Sequence, residues 1–158
     1  MKGKSILVAF CSVFLLSCQK ADNSQIADKW ITAWNSHSVE MVVPLFTDDV
    51  LYEDMSFGAV NHGSAELRKF AAFFFDAVPD LKVELTSSTI KDGHGTIEWV
   101  FSGTDKGVYK TGKTFTVRGV SVIDVKDGKI ARNVDYYDTA AIMKQVGLLP
   151  APESSASR

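Results

Sequence analysis

An α+β domain, with a cone-shaped curved antiparallel sheet and N-terminal helices enclosing a cavity, follows from three features of the sequence. Helical periodicity is confined to the first half of the chain, in the runs around Trp30 and Phe70. Alternating, strand-like runs follow it from Leu81 onward. The longest of these, Val117 to Asp138, folds back at Asp127-Gly128, a dipeptide that favours a two-residue hairpin. Helices segregated from a run of antiparallel strands make an α+β domain, and a curved sheet closed on one side leaves a conical space.

The chain is 158 residues long, enough for one domain. Residues 1–17 read as a secretion leader and not as fold. Lys2 and Lys4 precede an apolar run from Ile6 to Leu16, too short to span a bilayer. It ends in Leu15-Leu16-Ser17-Cys18, which resembles the lipobox of bacterial lipoproteins, whose cysteine is acylated and becomes the new N-terminus. That resemblance implies lipidation at Cys18, a tether over 18–23, and a location in the cell envelope, facing the periplasm or the exterior. Removing 1–17 takes away Lys2 and Lys4 and leaves 15 basic against 19 acidic side chains, a balance of -4. Such a charge gives no basic footprint for nucleic acid. Cys11 is lost too, so a single cysteine remains and no disulfide within the chain is available. Residues 151–158 are polar and small, as in a disordered tail. The domain is therefore expected over 24–150.

Within it, Ile26, Trp30 and Trp34 recur every four residues, which predicts a helix from about Asp22 to Asn35. Ser38 can cap a second helix, shortened or kinked by Pro44. Thr47-Asp48-Asp49 reads as a turn, and Val50 to Asp54 as a short strand with Tyr52 and Asp54 on one face. Met55 to Gly63 reads as irregular. Ser64 can start a third helix, whose buried stripe is Leu67, Phe70, Ala71 and Phe74. Strands follow at Leu81–Leu85 and Ile97–Phe101, then a polar loop at Asp105–Lys113. After the hairpin, Asp138 or Thr139 caps a last helix near Thr139 to Gln145, and Gly147 ends it.

On the second hairpin strand Asn133, Asp135 and Tyr137 share one face, because side chains alternate along a strand. A carboxylate, an amide and a phenol in one file suit a pocket wall better than a core face. Tyr52 and Asp54 offer a second such file. A carboxylate that moves a proton at carbon needs its pKa lifted toward neutrality, and an apolar pocket or a second carboxylate does this. Tyr52 and Tyr137 can orient a carbonyl oxygen, and Arg118 on the neighbouring strand can stabilise developing negative charge. The alternative for Asp135 is a structural ion pair with Arg118 or Arg132. Trp30, Trp34 and Phe74 suit the core or the cavity border, and His62 its edge. His37, His62 and His94 show no metal-ligand spacing. Gly107 to Thr114 matches the phosphate-loop pattern G-x-x-x-x-G-K-[ST], but strand-like residues follow where that motif needs a helix.

The runs DKWITAWNSHSVEMVVPLFTDDVLYED, HGSAELRKFAAFFF and DGKIARNVDYYD resemble, in that order, the SnoaL-like, polyketide cyclase-related proteins of the nuclear transport factor 2-like superfamily. The resemblance implies that Asp135 stands at the acid/base carboxylate of those cyclases, and Asn133 at a pocket position where they carry a histidine. Asp54 matches the base of the related ketosteroid isomerases. Trp30 and Ser121 stand where those isomerases place an oxyanion-hole tyrosine and a protonated aspartate, which argues against ketosteroid isomerisation. The expected activity is cofactor-free acid/base isomerisation or cyclisation of a carbonyl compound, with a small hydrophobic ligand as partner. The other readings are a binding protein without turnover and an interaction module, for instance a homodimer through the sheet face. If Asp135 and Asp54 face one cavity, the first two gain. If both are ion-paired or exposed, the third gains.

Overall fold

The computed structural model describes residues 25–150. The expected leader 1–17, Cys18, the expected tether 18–23 and the expected tail 151–158 lie outside the described residues.

Three helices precede and flank a six-stranded sheet, and a fourth closes the chain. The helices are α1 (Ile26–Asn35), α2 (Val39–Val42), α3 (Gly63–Ala77) and α4 (Thr139–Gln145). The strands are β1 (Phe46–Asp54), β2 (Ala59–His62), β3 (Lys82–Lys91), β4 (His94–Thr104), β5 (Thr114–Lys126) and β6 (Lys129–Tyr137). They lie in the order β2-β1-β6-β5-β4-β3. The fold is the expected α+β cone, with one strand pair that alternation alone does not define. β1 and β6 run parallel while all other neighbours are antiparallel, so the sheet is mixed. That pair is far apart in sequence, so the chain can bring β1 to β6 in either direction.

The stripes read from periodicity are the buried ones. α1 buries Ile26, Ala27, Trp30, Ala33 and Trp34, and α3 buries Leu67, Phe70, Ala71, Phe74 and Ala77. Each such large apolar side chain contributes roughly 1.5–3 kcal/mol by leaving water. α1 is fixed to the sheet edge by Asn35, which acts as a surrogate strand residue. Its amide donates to the Val83 carbonyl at 2.7 Å and accepts from the Val83 N–H at 2.8 Å. This places Trp30 and Trp34 over the inner face of the sheet.

Several boundaries differ from expectation. Thr47-Asp48-Asp49 is strand and not turn. β1 begins at Phe46, and a register shift between Phe46 and Leu51 leaves Asp48 and Asp49 in solvent. The segment expected to be irregular contains β2, which pairs with β1 from Leu51–His62 to Asp54–Ala59. α3 is capped by His62 and not Ser64; the His62 N–H goes to the Glu66 carboxylate at 2.7 Å. Asp127 and Gly128 both take positive φ, 51° and 78°, the conformation of the tight hairpin turn their sequence favours. Asp138 caps α4 by accepting from the Ala141 N–H at 2.9 Å.

The loop that matches the phosphate-binding pattern runs directly into β5 at Thr114. It is organised by a carboxylate of its own: Asp105 accepts from the N–H groups of Tyr109 and Thr111, at 2.9 and 2.8 Å, and from the Thr111 hydroxyl.

Candidate functional site

The inner face of the sheet and the helices α1 and α3 enclose a cavity with about 410 Å³ of atom-free space, mouth included. Strand parity and register assemble its polar wall. In the parallel β1–β6 pair, Tyr52 lies beside Asn133 and Asp54 beside Asp135. Across the antiparallel β5–β6 pair, Ser121 lies beside Asp135 and Gly119 beside Tyr137. All these residues are at even spacings along their strands, so they face one side. Tyr52, Asp54, Asp135 and Tyr137 line the cavity.

The rest of the wall is apolar. α1 supplies Trp30 and Trp34, α3 supplies Phe70 and Phe74, and β4 supplies Trp99 and Phe101, with Leu81 and Val83 at the edge. Eight of the twelve lining residues are aromatic, which suits a flat ligand. Trp30 stacks on Trp99 at 6.3 Å between centroids, and Trp99 lies 6.0 Å from Tyr137. The approach of Trp99 to β5 is possible because residue 119 is a glycine. A Cβ there meets three atoms of the Trp99 ring at 2.2–2.8 Å. We therefore expect Gly119→Ala to displace that ring and destabilise the protein by about 1–3 kcal/mol in a denaturant titration.

Asp135 is 5% exposed and its carboxylate has three neutral donors. Oδ1 accepts from the Ser121 hydroxyl at 2.6 Å and the Asn133 amide at 2.7 Å, and Oδ2 from the Tyr52 hydroxyl at 2.5 Å. Ser121 in turn accepts from the Trp99 indole N–H at 2.9 Å. A carboxylate offers about four lone-pair directions, so about one is left for a ligand. Burial pushes the Asp135 pKa up to about 6, against the lowering pull of its hydrogen bonds and with a further rise from the Asp54 charge. Burial drives the Tyr52 phenol well above its ordinary value, so it stays a donor.

Asp54 is 4% exposed and is raised by burial as well, against hydrogen bonds from the Phe57 N–H at 2.7 Å and the Tyr137 hydroxyl at 2.9 Å. Among the described residues, neither carboxylate has an ion-pair partner. Arg132 turns to the outer face and reaches Glu53 at 3.4 Å and Asp124 at 3.9 Å. Two further donors in the wall are unused: the indole nitrogens of Trp30 and Trp34 are buried and have no hydrogen-bond partner.

Three expected pocket residues sit elsewhere. Arg118 alternates with the inward Val117 and Gly119 and is exposed on the outer face, so it cannot meet charge in the cavity. His62 is exposed and caps α3, outside the cavity lining. Asn133 is fully buried and holds Asp135 from beneath without lining the space. In the other direction, Ser121 and Trp99 form a support for Asp135 that residue types alone do not announce. The parity of β4 and β5 points both inward, but only the register brings Ser121 beside Asp135. Among the described residues, no group of three or more His, Cys, Asp or Glu is arranged to hold a metal ion.

Comparisons with known proteins agree with this fold. A family model described as SnoaL-like polyketide cyclase matches residues 24–146. The cyclase aurE of Calcarisporium arbuscula is 34% identical over 125 residues, covering 76% of this chain and 91% of that protein. A protein with a ketosteroid isomerase-like fold from Catenulispora acidiphila, solved in complex with trimethylamine, superposes with a TM-score of 0.72 at 25% identity, over 78% of this chain and 92% of that one. An NTF2-like protein from Burkholderia pseudomallei K96243 gives a TM-score of 0.69 at 18% identity, over 81% and 99% of the two chains.

Proposed function

We propose that this chain, which belongs to the SnoaL-like polyketide cyclase family, binds a small, flat, apolar carbonyl compound and moves a proton on it with Asp135. The observation that carries this reading is a buried carboxylate held by three neutral donors, without a cation, in an aromatic cavity. Its pKa of about 6 keeps it mostly ionised near neutrality, yet basic enough to take a proton from carbon.

The ionised Asp135 removes a proton from the carbon beside the ligand's carbonyl. The C–H electron pair moves toward the carbonyl and the oxygen gains the charge of an enolate. The free indole N–H groups of Trp30 and Trp34 are the unspent donors in the wall for that oxygen. Return of the proton at another carbon is an isomerisation. Attack of the enolate carbon on a second carbonyl in the same molecule, with the proton delivered to the new alkoxide, is an aldol-type cyclisation. Both close without a cofactor. Asp54, engaged by Tyr137 and Phe57, raises the Asp135 pKa through its charge. The lipobox-like sequence ending at Cys18 supports a lipid-anchored site for this chemistry in the cell envelope, facing the periplasm or exterior.

The test uses 2-tetralone, a flat enolisable ketone, in deuterated water. Saturable, protein-dependent exchange of its α-protons, followed by NMR, supports the reading. Binding without accelerated exchange identifies a binding protein, and no binding at all removes the cavity as a carbonyl site.

A further inference from the structure

A second apolar chamber lies behind the first. It has about 380 Å³ of atom-free space, open solvent at its rim included, and is bounded by the 105–113 loop, through Val108 and Tyr109, and by α4, through Ile142. Three residues, Phe74, Phe101 and Tyr137, line both chambers and so form the partition between them. The one carboxylate in the second chamber, Asp105, is saturated by the loop's own donors, so the space offers apolar contact and not an ionic site.

In the partition, Tyr137 is the side chain with a polar latch. The Tyr137 backbone is pinned by Ser56, whose hydroxyl donates to the Tyr137 carbonyl at 2.6 Å and lies 2.7 Å from its N–H. The Tyr137 ring, by contrast, is held by a single hydrogen bond, from its hydroxyl to Asp54 at 2.9 Å. The other Asp54 oxygen is bound by the N–H of Phe57, whose ring lines the second chamber. Asp54 thus ties the partition to the far wall. Rotation of the Tyr137 phenol would join the two spaces into one elongated cavity with Asp135 at one end.

We infer that the chamber behind Tyr137 is a distal binding site for the apolar end of an elongated aryl ketone whose carbonyl end lies against Asp135. Tyr137, latched to Asp54, is its gate. This rests on the carbonyl-binding reading above and adds the length of the ligand to it.

Two probes separate the claims: the short 2-acetylnaphthalene, meant for the first chamber alone, and 2-octanoylnaphthalene, whose chain is meant to reach the second. All three tryptophans of the chain line the first chamber, so quenching of their fluorescence reports binding of either ketone. Val108→Phe and Ile142→Phe each fill the second chamber from a different side. The expected result is a Kd for the octanoyl ketone raised at least about tenfold, with that of the acetyl ketone within about twofold. Equal loss for both ketones, or no loss for either, overturns the inference. A second measurement on the wild type does not depend on the variants folding. Isotope-filtered NMR is expected to show contacts from the terminal methyl of the octanoyl chain to the methyls of Val108 and Ile142. Binding of the acetyl ketone without those contacts overturns the second chamber alone. Failure of both ketones to bind overturns the carbonyl-binding reading and the chamber together.

Discussion

Asp135→Asn is expected to lower the exchange rate of bound 2-tetralone by about 10²–10⁴-fold, the range a positioned acid/base group supplies. The substitution keeps the shape of the side chain and removes the group that takes the proton. Binding is expected to change little, because the apolar wall from Trp30 to Phe101 is untouched. In the wild type the rate is expected to rise with pH through about 6 and then level off, as the carboxylate ionises. A variant that exchanges as fast as the wild type, or a flat pH profile across pH 5–7, contradicts the assignment of Asp135 as the base.

The same carboxylate should leave a mark on stability. Its pKa rises from 3.8 to about 6 on folding, chiefly through burial. Between those values the folded state holds a proton that the unfolded state has released, so stability falls as pH increases through that window. Two units correspond to about 3 kcal/mol. The stability of the wild type relative to Asp135→Asn should therefore decline by about 2 kcal/mol from pH 4 to pH 7, as read by urea denaturation at each pH. The lowered carboxylates act elsewhere. Asp80, held down by Thr104, and Asp105, held down by loop hydrogen bonds against its burial, lose their contribution only as pH falls below the ordinary aspartate range. A difference between the two proteins that stays constant from pH 4 to pH 7 means that Asp135 is not perturbed.

Periodicity and parity made much of this molecule legible. The spacing of Trp30 and Trp34, and of Phe70 and Phe74, set two helix faces against the sheet. Alternation alone put Tyr52 and Asp54 in one file and Asn133, Asp135 and Tyr137 in another, and the pairing of β1 with β6 brings the two files together. What parity does not carry is register and direction. The parallel pairing of β1 with β6, which sets Asp54 beside Asp135, joins strands some 80 residues apart in sequence. Nothing local to either strand encodes it. Arg118 failed as a pocket residue because its side was decided by the register of β5 against β4, where Val117 and Gly119 face inward. Asp48 and Asp49 look like turn residues, and the strand tolerates them because an irregular stretch of β1 turns both to solvent. Ser121 is the instructive case. As a residue type it is unremarkable, and only its place opposite Asp135, with Trp99 behind it, makes it part of the site.

The proposed chemistry requires Asp135 to be a desolvated carboxylate poised for proton transfer. Carboxyl-resolved NMR across a pH titration, with Asp135→Asn to assign the signal, tests it most directly. A midpoint near 6 is the predicted result. A midpoint at or below the ordinary aspartate value, about 3.9, contradicts the account and means that water or an unrecognised partner stabilises the charge.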